Sequence, residues 1–215
     1  ISTITSYIYD EEASEFVRNT QIDYSYNDNN LISQSITSYW LPSTQTWQWQ
    51  FKLELTYDED LLRVKEEQFL WDFVTFSWTE NSKTEFDHDA LGNKDLEILS
   101  IWDSNSQSYI PQEKEEWDYD GELKMEKRYY NYNQNIGDFE AVTKTEFGYN
   151  EDDVLNSEAY YDWNDSNNSW IKNYKLTYQY NQYGDKTIQT QYIPDETGEN
   201  WNIFTRWFYY YSILP

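Results

Sequence analysis

The chain has 215 residues, of which 40 are acidic and 15 basic, for a net charge of −25. It contains no Cys, a single His and 20% aromatic residues. The missing thiols exclude disulfides and Cys nucleophiles, and the charge disfavours nucleic acid or anionic membranes as partners. The aromatic content disfavours disorder, and no apolar run approaches the roughly 20 residues of a spanning helix.

Internal repeats dominate the sequence. A landmark aromatic residue followed by Asp, Asn or Ser recurs with a spacing of 31, 31, 31, 30, 31 and 31 residues, at Tyr26, Tyr57, His88, Tyr119, Tyr149, Tyr180 and Tyr211. Aromatic residues also recur in two further registers, for example at Trp71 and Trp78. This pattern predicts one repeat domain over residues 1–215, with a partial unit at 1–20 and units of about 31 residues from residue 21. Because the array starts and stops within a unit, we expect it to be a window of a longer protein.

Each repeat predicts two β-strands. Residues 47–58 alternate strictly, with Trp47 to Tyr57 on one parity and polar residues on the other, which is typical of a strand with one buried face. A turn rich in Asx residues and Gly follows, as at 89–93 and 181–185, and then a second strand such as 96–102 or 158–163. A Lys recurs on the polar parity, followed in four copies by a Glu two residues later, so we expect a solvated face of alternating charge.

Short turns between consecutive strands predict an all-β fold, an antiparallel meander of about fourteen strands. The sheet is either open, curled into a superhelix, or closed into a barrel, and a repeat that runs past both ends favours the open form. Insertion in a membrane is not expected, because Glu113, Glu115 and Lys172 fall on the aromatic parity at mid-strand, where lipid would require apolar side chains.

Residues 83–93 and 175–184 show the repeat most clearly: Lys, an aromatic residue, the landmark and a Gly-containing turn, with Glu85 and a following Trp102-Asp103 in the first copy. This unit resembles the tandem repeats of large secreted and cell-surface proteins of Bacteroidetes, many of which carry a sorting domain for type IX secretion. The element also resembles the YD repeats of Rhs-type proteins, which have a shorter period and more Gly. The first resemblance implies an extracellular or cell-surface location.

Residues with potential chemistry are few. His88 occupies the landmark position, where we interpret it as one ring replacing another. Without Cys or a second His, thiol enzymes, Ser-His triads and His-rich zinc sites are unavailable, and no repeat has a unique acidic pair, so we expect no enzymatic activity and no obligatory cofactor. Asp58, Asp60, Asp162 and Asp165 are weak candidates for calcium, although their spacing matches no calcium loop.

Phe73 and Phe76 are the ligand candidates, because they lie in the 71–78 loop where other repeats carry polar residues. Three functions are compatible with the sequence. The first is a non-enzymatic extracellular module, a stalk or adhesin-like segment in which each repeat packs on its neighbours. The second is a carbohydrate-binding module that uses loop aromatics, and the third is a docking module for a surface or secretion partner.

Overall fold

The computed structural model describes residues 2–11 and 14–211. Within these residues the fold consists of fourteen β-strands and turns, and contains no helix that could span a membrane. The strands are β1 Ser2–Asp10, β2 Glu15–Tyr26, β3 Ile32–Leu41, β4 Thr46–Tyr57, β5 Arg63–Asp72, β6 Ser77–His88, β7 Lys94–Asp103, β8 Ser108–Asp120, β9 Leu123–Asn133, β10 Asp138–Tyr149, β11 Leu155–Asn164, β12 Ser169–Tyr180, β13 Lys186–Pro194 and β14 Trp201–Phe208.

The strands form one open antiparallel sheet in the order of the sequence, from β1 to β14. The predicted fold class is therefore confirmed, and the sheet is not closed into a barrel. The alternating residues 47–58 form β4, while 96–102 and 158–163 lie within β7 and β11. The chain divides into two compact units: the described residues of 1–87 with 98–112, and 88–97 with the described residues of 113–215.

Two kinds of turn join the strands. The landmark turn follows each landmark residue, and the second kind lies between paired aromatic residues such as Trp71 and Trp78. At the landmark turn, an Asx side chain caps the loop: Asp89 Oδ1 accepts hydrogen bonds from the backbone N–H of Leu91, at 2.8 Å, and of Asn93, at 3.0 Å. Gly92, at φ 85°, supplies the left-handed residue that closes this turn. The pattern of Asx residues and Gly therefore predicts this turn correctly. The Asx side chain caps the backbone N–H groups, and Gly adopts the left-handed conformation.

In the first unit, strand β4 contains a β-bulge. Thr37 pairs with Phe51 and Ser38 with Trp49, so Gln50 is the extra residue. A similar bulge occurs in β6, where Asn81 is the extra residue between Glu80 and Ser82. A bulge shifts the alternation by one position, so Trp47 and Trp49 face the side opposite to Phe51 and Leu53.

In the second unit, the same bulge recurs in β10, β12 and β14. In each strand one residue has no partner on the neighbouring strand at the register shift. These extra residues are Val142, Asn173 and Phe204. The bulge is therefore a property of the repeat. It overturns the expectation that the aromatic parity keeps to one face, because residues before and after the bulge with the same parity lie on opposite faces.

The consequence is that tryptophans and lysines share a face, which we call the lysine face. Lys52 Nζ lies 3.8 Å from the centroid of the Phe69 ring and 5.7 Å from that of Trp78, and its side chain is only 14% exposed. The predicted solvated face is thus wrong for the lysines, whose stems and ammonium groups cover aromatic rings. The alternating charge is present, since Lys52 forms a 2.7 Å ion pair with Glu54.

Aromatic pairs hold the strand ends at the second kind of turn. Trp71 and Trp78 are direct partners on β5 and β6, with ring centroids 5.1 Å apart at 71°. Five further pairs adopt similar edge-to-face geometry: Tyr9–Phe16, Trp40–Trp47, Trp102–Tyr109, Tyr132–Phe139 and Trp163–Trp170. Each such pair contributes roughly 0.5–1.5 kcal/mol beyond the area it buries. The predicted recurrence of aromatics seven residues apart is therefore the spacing of a cross-strand pair.

Candidate functional site

The loop between Trp71 and Trp78 carries both predicted ligand residues, and Asp72 fixes its conformation. The Asp72 carboxylate accepts hydrogen bonds from the Thr75 hydroxyl and from the backbone N–H of Val74, each at 2.7 Å. The Thr75 bond and then the Val74 bond hold the pKa of this exposed carboxyl below its ordinary value. The backbone N–H of Phe76 also donates to the Asp72 carbonyl oxygen, at 2.9 Å. The loop is therefore closed by its own first residue.

Phe76 adopts a left-handed backbone conformation that the equivalent residues Gln45, Gln107 and Asn168 share. Its φ is 55°, in the left-handed region, which costs an L-residue roughly 1–2 kcal/mol. The equivalent residue of another repeat is Gly137, for which φ 70° is unstrained. The Phe76 side chain is 75% exposed, so burial of the ring does not offset the strain.

Phe73 and Phe76 line an open cavity of about 410 Å³, which we call the aromatic groove. Trp49 and Trp71 form part of its wall, together with polar side chains that include Thr46 and Gln48. Trp49 meets the edge of Trp71, with centroids 4.8 Å apart at 87°. On another side, Trp49 stacks on Trp78 at 5.9 Å and 23°. The structure thus brings the two predicted ligand residues together on one surface with three tryptophans, Trp47, Trp49 and Trp71.

The groove residues depart from the repeat pattern. At the position of Trp49 the other repeats have Glu80, Pro111, Ala141, Lys172 and Ile203. At the position of Phe76 they have Gln45, Gln107, Gly137 and Asn168. Trp49 was not predicted as a ligand residue, because it lies on the alternating parity of β4. A comparison of equivalent positions would have detected it, since no other repeat has an aromatic residue there.

The groove is uncharged. Among the described residues that line it, none carries an ionisable side chain, and its polar groups are hydroxyls, such as that of Thr46, and the Gln48 amide. Its volume lies within the range of about 300–1,000 Å³ that is usual for small-molecule sites, which combine apolar walls with a few polar groups. The arrangement can therefore bind a neutral ligand through flat apolar contacts and hydrogen bonds.

The four calcium candidates do not come together. Asp58 Oδ1 caps its turn by accepting bonds from the N–H groups of Asp60, at 2.9 Å, and Leu62, at 2.9 Å. Asp162 Oδ2 accepts a 2.8 Å bond from Asn173, and Asp165 lies exposed in the following turn. Across residues 2–11 and 14–211, no cluster of three or more acidic or His side chains has the geometry to hold a metal ion.

A second cavity, of about 260 Å³, lies in the second unit and is polar. Lys127 and Glu115 form a 2.7 Å ion pair in its lining, beside Tyr129 and two threonines. Burial, followed by a hydrogen bond to Glu113, raises the pKa of Tyr129. The charged groups of this cavity thus have partners within the protein, so it offers no free group for chemistry.

The lysine face of the second unit contains a more extensive network around Lys144, which is 13% exposed. Its ammonium group contacts Glu146 at 2.7 Å and Glu126 at 3.3 Å. Burial alone would lower the pKa of Lys144, but the hydrogen bond and charge of Glu146 outweigh it and raise that pKa. Tyr161 donates a 2.6 Å bond to Glu146, and burial together with this bond raises the pKa of Tyr161. These shifts arise from a structural network, in which His88 takes no part.

Comparisons with known proteins concern the fold. No protein-family model and no curated protein matches the sequence. The crystal structure of TcdB2-TccC3-TEV matches 94% of this chain at 14% identity with a TM-score of 0.55, and the Photorhabdus luminescens Tc holotoxin pore does so at 13% and 0.54. This chain spans only 9% of either of those chains.

A DUF3836 family protein from Bacteroides vulgatus is 18% identical over 43% of this chain and 90% of its own, with a TM-score of 0.38. At these identities, the two matches with TM-scores above 0.5 show a likeness of fold alone.

Proposed function

We propose that the protein is a non-enzymatic extracellular repeat module, a stalk or adhesin-like segment of a large secreted or cell-surface protein. One observation carries this proposal: the same bond links five of the six landmark tyrosines to the repeat before them, and Tyr26 contacts the Ser2 hydroxyl instead. Tyr57 donates to the Ile32 carbonyl at 2.9 Å, and the same 25-residue spacing joins Tyr119 to Lys94, Tyr149 to Lys124, Tyr180 to Leu155 and Tyr211 to Lys186.

The bond supports a scaffold role because its acceptor in these five copies is the backbone of the neighbouring repeat. Any sequence that keeps the landmark tyrosine can supply it, so repeats can be added or exchanged while their other side chains vary. In repeat proteins of this kind, stability is approximately the sum of the repeats and their interfaces. The resemblance to Bacteroidetes surface repeats supports the extracellular location.

The test is an in-frame deletion of the module from its parent protein, in the cell that produces it. The proposal predicts that an antibody against the module labels intact cells or detects it in the medium. It also predicts that a length-matched array of unrelated β-repeats restores the surface display of the rest of the protein. Labelling confined to lysed cells would contradict the location, and failure of every unrelated array would contradict the scaffold role.

Carbohydrate binding is a second function that a specific observation favours, namely the aromatic groove. Phe73 and Phe76 present exposed rings there, and Thr46 and Gln48 supply polar groups beside them. Docking on a surface or secretion partner is the other alternative. It predicts that such a partner co-purifies with the module and that variants of the groove leave this association unchanged.

A further inference from the structure

Three departures from the repeat pattern converge on one surface. Trp49, Phe73 and Phe76 are separated by up to 27 positions in the sequence, yet all three line the aromatic groove of the first unit. A scaffold alone does not require them, because other repeats fold with Glu80, Ser104 and Gly137 at the same positions. We propose that the groove is a binding site for a neutral carbohydrate chain whose sugar rings lie against these three aromatic side chains.

The chemistry of the groove matches that ligand class. Trp49 is 46% exposed and Phe73 43%, so part of each ring is free for contact. A pyranose ring has apolar C–H patches that pack on an aromatic face, and its hydroxyls need donors and acceptors such as Thr46 and Gln48.

Charge excludes acidic glycans. The described lining residues carry no cation to pair with a carboxylate or sulfate, and the chain as a whole has a net charge of −25. An acidic sugar would therefore be repelled at long range and would lose its hydration in the groove without gaining a partner. The ligand is accordingly a neutral oligosaccharide.

The loop is organised before a ligand arrives. Asp72 holds Thr75 and Val74, and this closed loop keeps Phe76 in its left-handed conformation. Fixing the ring in advance reduces the entropy that binding would otherwise cost. The equivalent position holds Gln45, Gln107, Gly137 and Asn168 in other repeats, all in the left-handed conformation, so the turn keeps its shape and in this repeat presents an aromatic ring.

This proposal deepens the carbohydrate-binding function proposed above and is independent of the scaffold role. The experiment is titration calorimetry on the full chain with two sets of probes. The neutral probes are cellohexaose, maltohexaose and mannohexaose, and the acidic probe is hexagalacturonic acid. We expect at least one neutral hexasaccharide to bind and the acidic hexamer not to bind.

The variants are taken from other repeats so that the fold is kept. Phe73→Ser and Phe76→Gly introduce the residues found at 104 and 137, and Trp49→Ala introduces the residue found at 141. We expect the Phe73→Ser/Phe76→Gly pair, and separately Trp49→Ala, to weaken binding by about tenfold or more. Tyr183→Ala, which removes a 76% exposed ring from a turn of the second unit, is the matched control and should bind as the native chain does.

Three results would overturn the proposal: no neutral probe binds, the acidic hexamer binds as tightly as the neutral probes, or the groove variants bind as the native chain does. Circular dichroism of each variant checks that it is folded. If one of the two groove variants does not fold, the binding measured for the other groove variant decides the test. None of these outcomes affects the antibody labelling and array replacement that test the scaffold role.

Discussion

The hydroxyl of Tyr149 donates a 2.9 Å hydrogen bond to the backbone carbonyl of Lys124, 25 residues earlier in the chain. The bond joins the end of β10 to the start of β9. Because the acceptor is a backbone group, the link does not depend on which side chain stands at position 124. This independence explains why the same bond forms whether the acceptor position carries Ile32, Leu155 or a lysine.

Removal of one such bond should destabilise the protein modestly. We expect Tyr149→Phe to lower the free energy of unfolding by about 0.5–1.5 kcal/mol, because the part-buried Lys124 carbonyl loses its donor. Chemical denaturation followed by tryptophan fluorescence measures the change. Tyr183→Phe is the control, since that ring is 76% exposed, and an equal loss in both variants would argue against the bond.

The Lys144 network should contribute more to the free energy of unfolding than an isolated ion pair does. Lys144→Met keeps the apolar stem but leaves Glu126 and Glu146 without their shared cation, so we expect a loss of about 1–2 kcal/mol. Lys65→Met is the matched control, because Lys65 is 34% exposed and pairs with Glu67 alone, and it should cost less than about 1 kcal/mol. Denaturation curves of the two variants decide the comparison, and equal losses would show that the network adds nothing.

Phe76 should be costly for stability. We expect Phe76→Gly to raise the free energy of unfolding by roughly 1 kcal/mol, because glycine adopts the left-handed conformation without strain and the ring is largely exposed. The same substitution should weaken the binding of neutral sugars, so that stability and binding move in opposite directions. Thermal unfolding with and without the hexasaccharide measures both effects, and a loss of stability would contradict the strain.

The half-buried tyrosines Tyr160 and Tyr161 should make the protein sensitive to alkali. Burial, followed by the charge of Glu158, raises the pKa of Tyr160 to about 12, and burial followed by the Glu146 hydrogen bond raises the pKa of Tyr161 as well. A group whose pKa is raised on folding contributes stability that is present below its unfolded value, near 10, and is lost as the pH rises through the folded value.

We therefore expect the folded protein to keep these phenols protonated at pH 11 and to lose stability between about pH 10 and 12. Titration of the tyrosine absorbance at 295 nm, in native and unfolded protein, measures this. Glu146→Gln should lower the pKa of Tyr161, and an unchanged titration in that variant would show that the Glu146 bond has no such effect.

The sequence predicts the strands and their order because the period of two and the Asx turns are local properties of the chain. It does not predict the face of each aromatic residue. Gln50 looks like any polar residue of an alternating strand, and only the pairing with β3 shows that it is extra. The site was predicted in part. Phe73 and Phe76 differ in residue type from the polar residues of other loops, whereas Trp49 fits the alternation of β4 and therefore does not stand out in the sequence.

The shared face of lysines and tryptophans is the central claim of this account, because simple alternation along β4 places Lys52 and Trp49 on opposite faces. The most direct measurement is NMR of the full chain with isotope-labelled lysine. The bulged strands predict that the ε-methylene protons of Lys52 are shifted upfield by ring currents and show nuclear Overhauser effects to Phe69 and Trp78. Random-coil shifts for these protons, without contacts to either ring, would contradict the account.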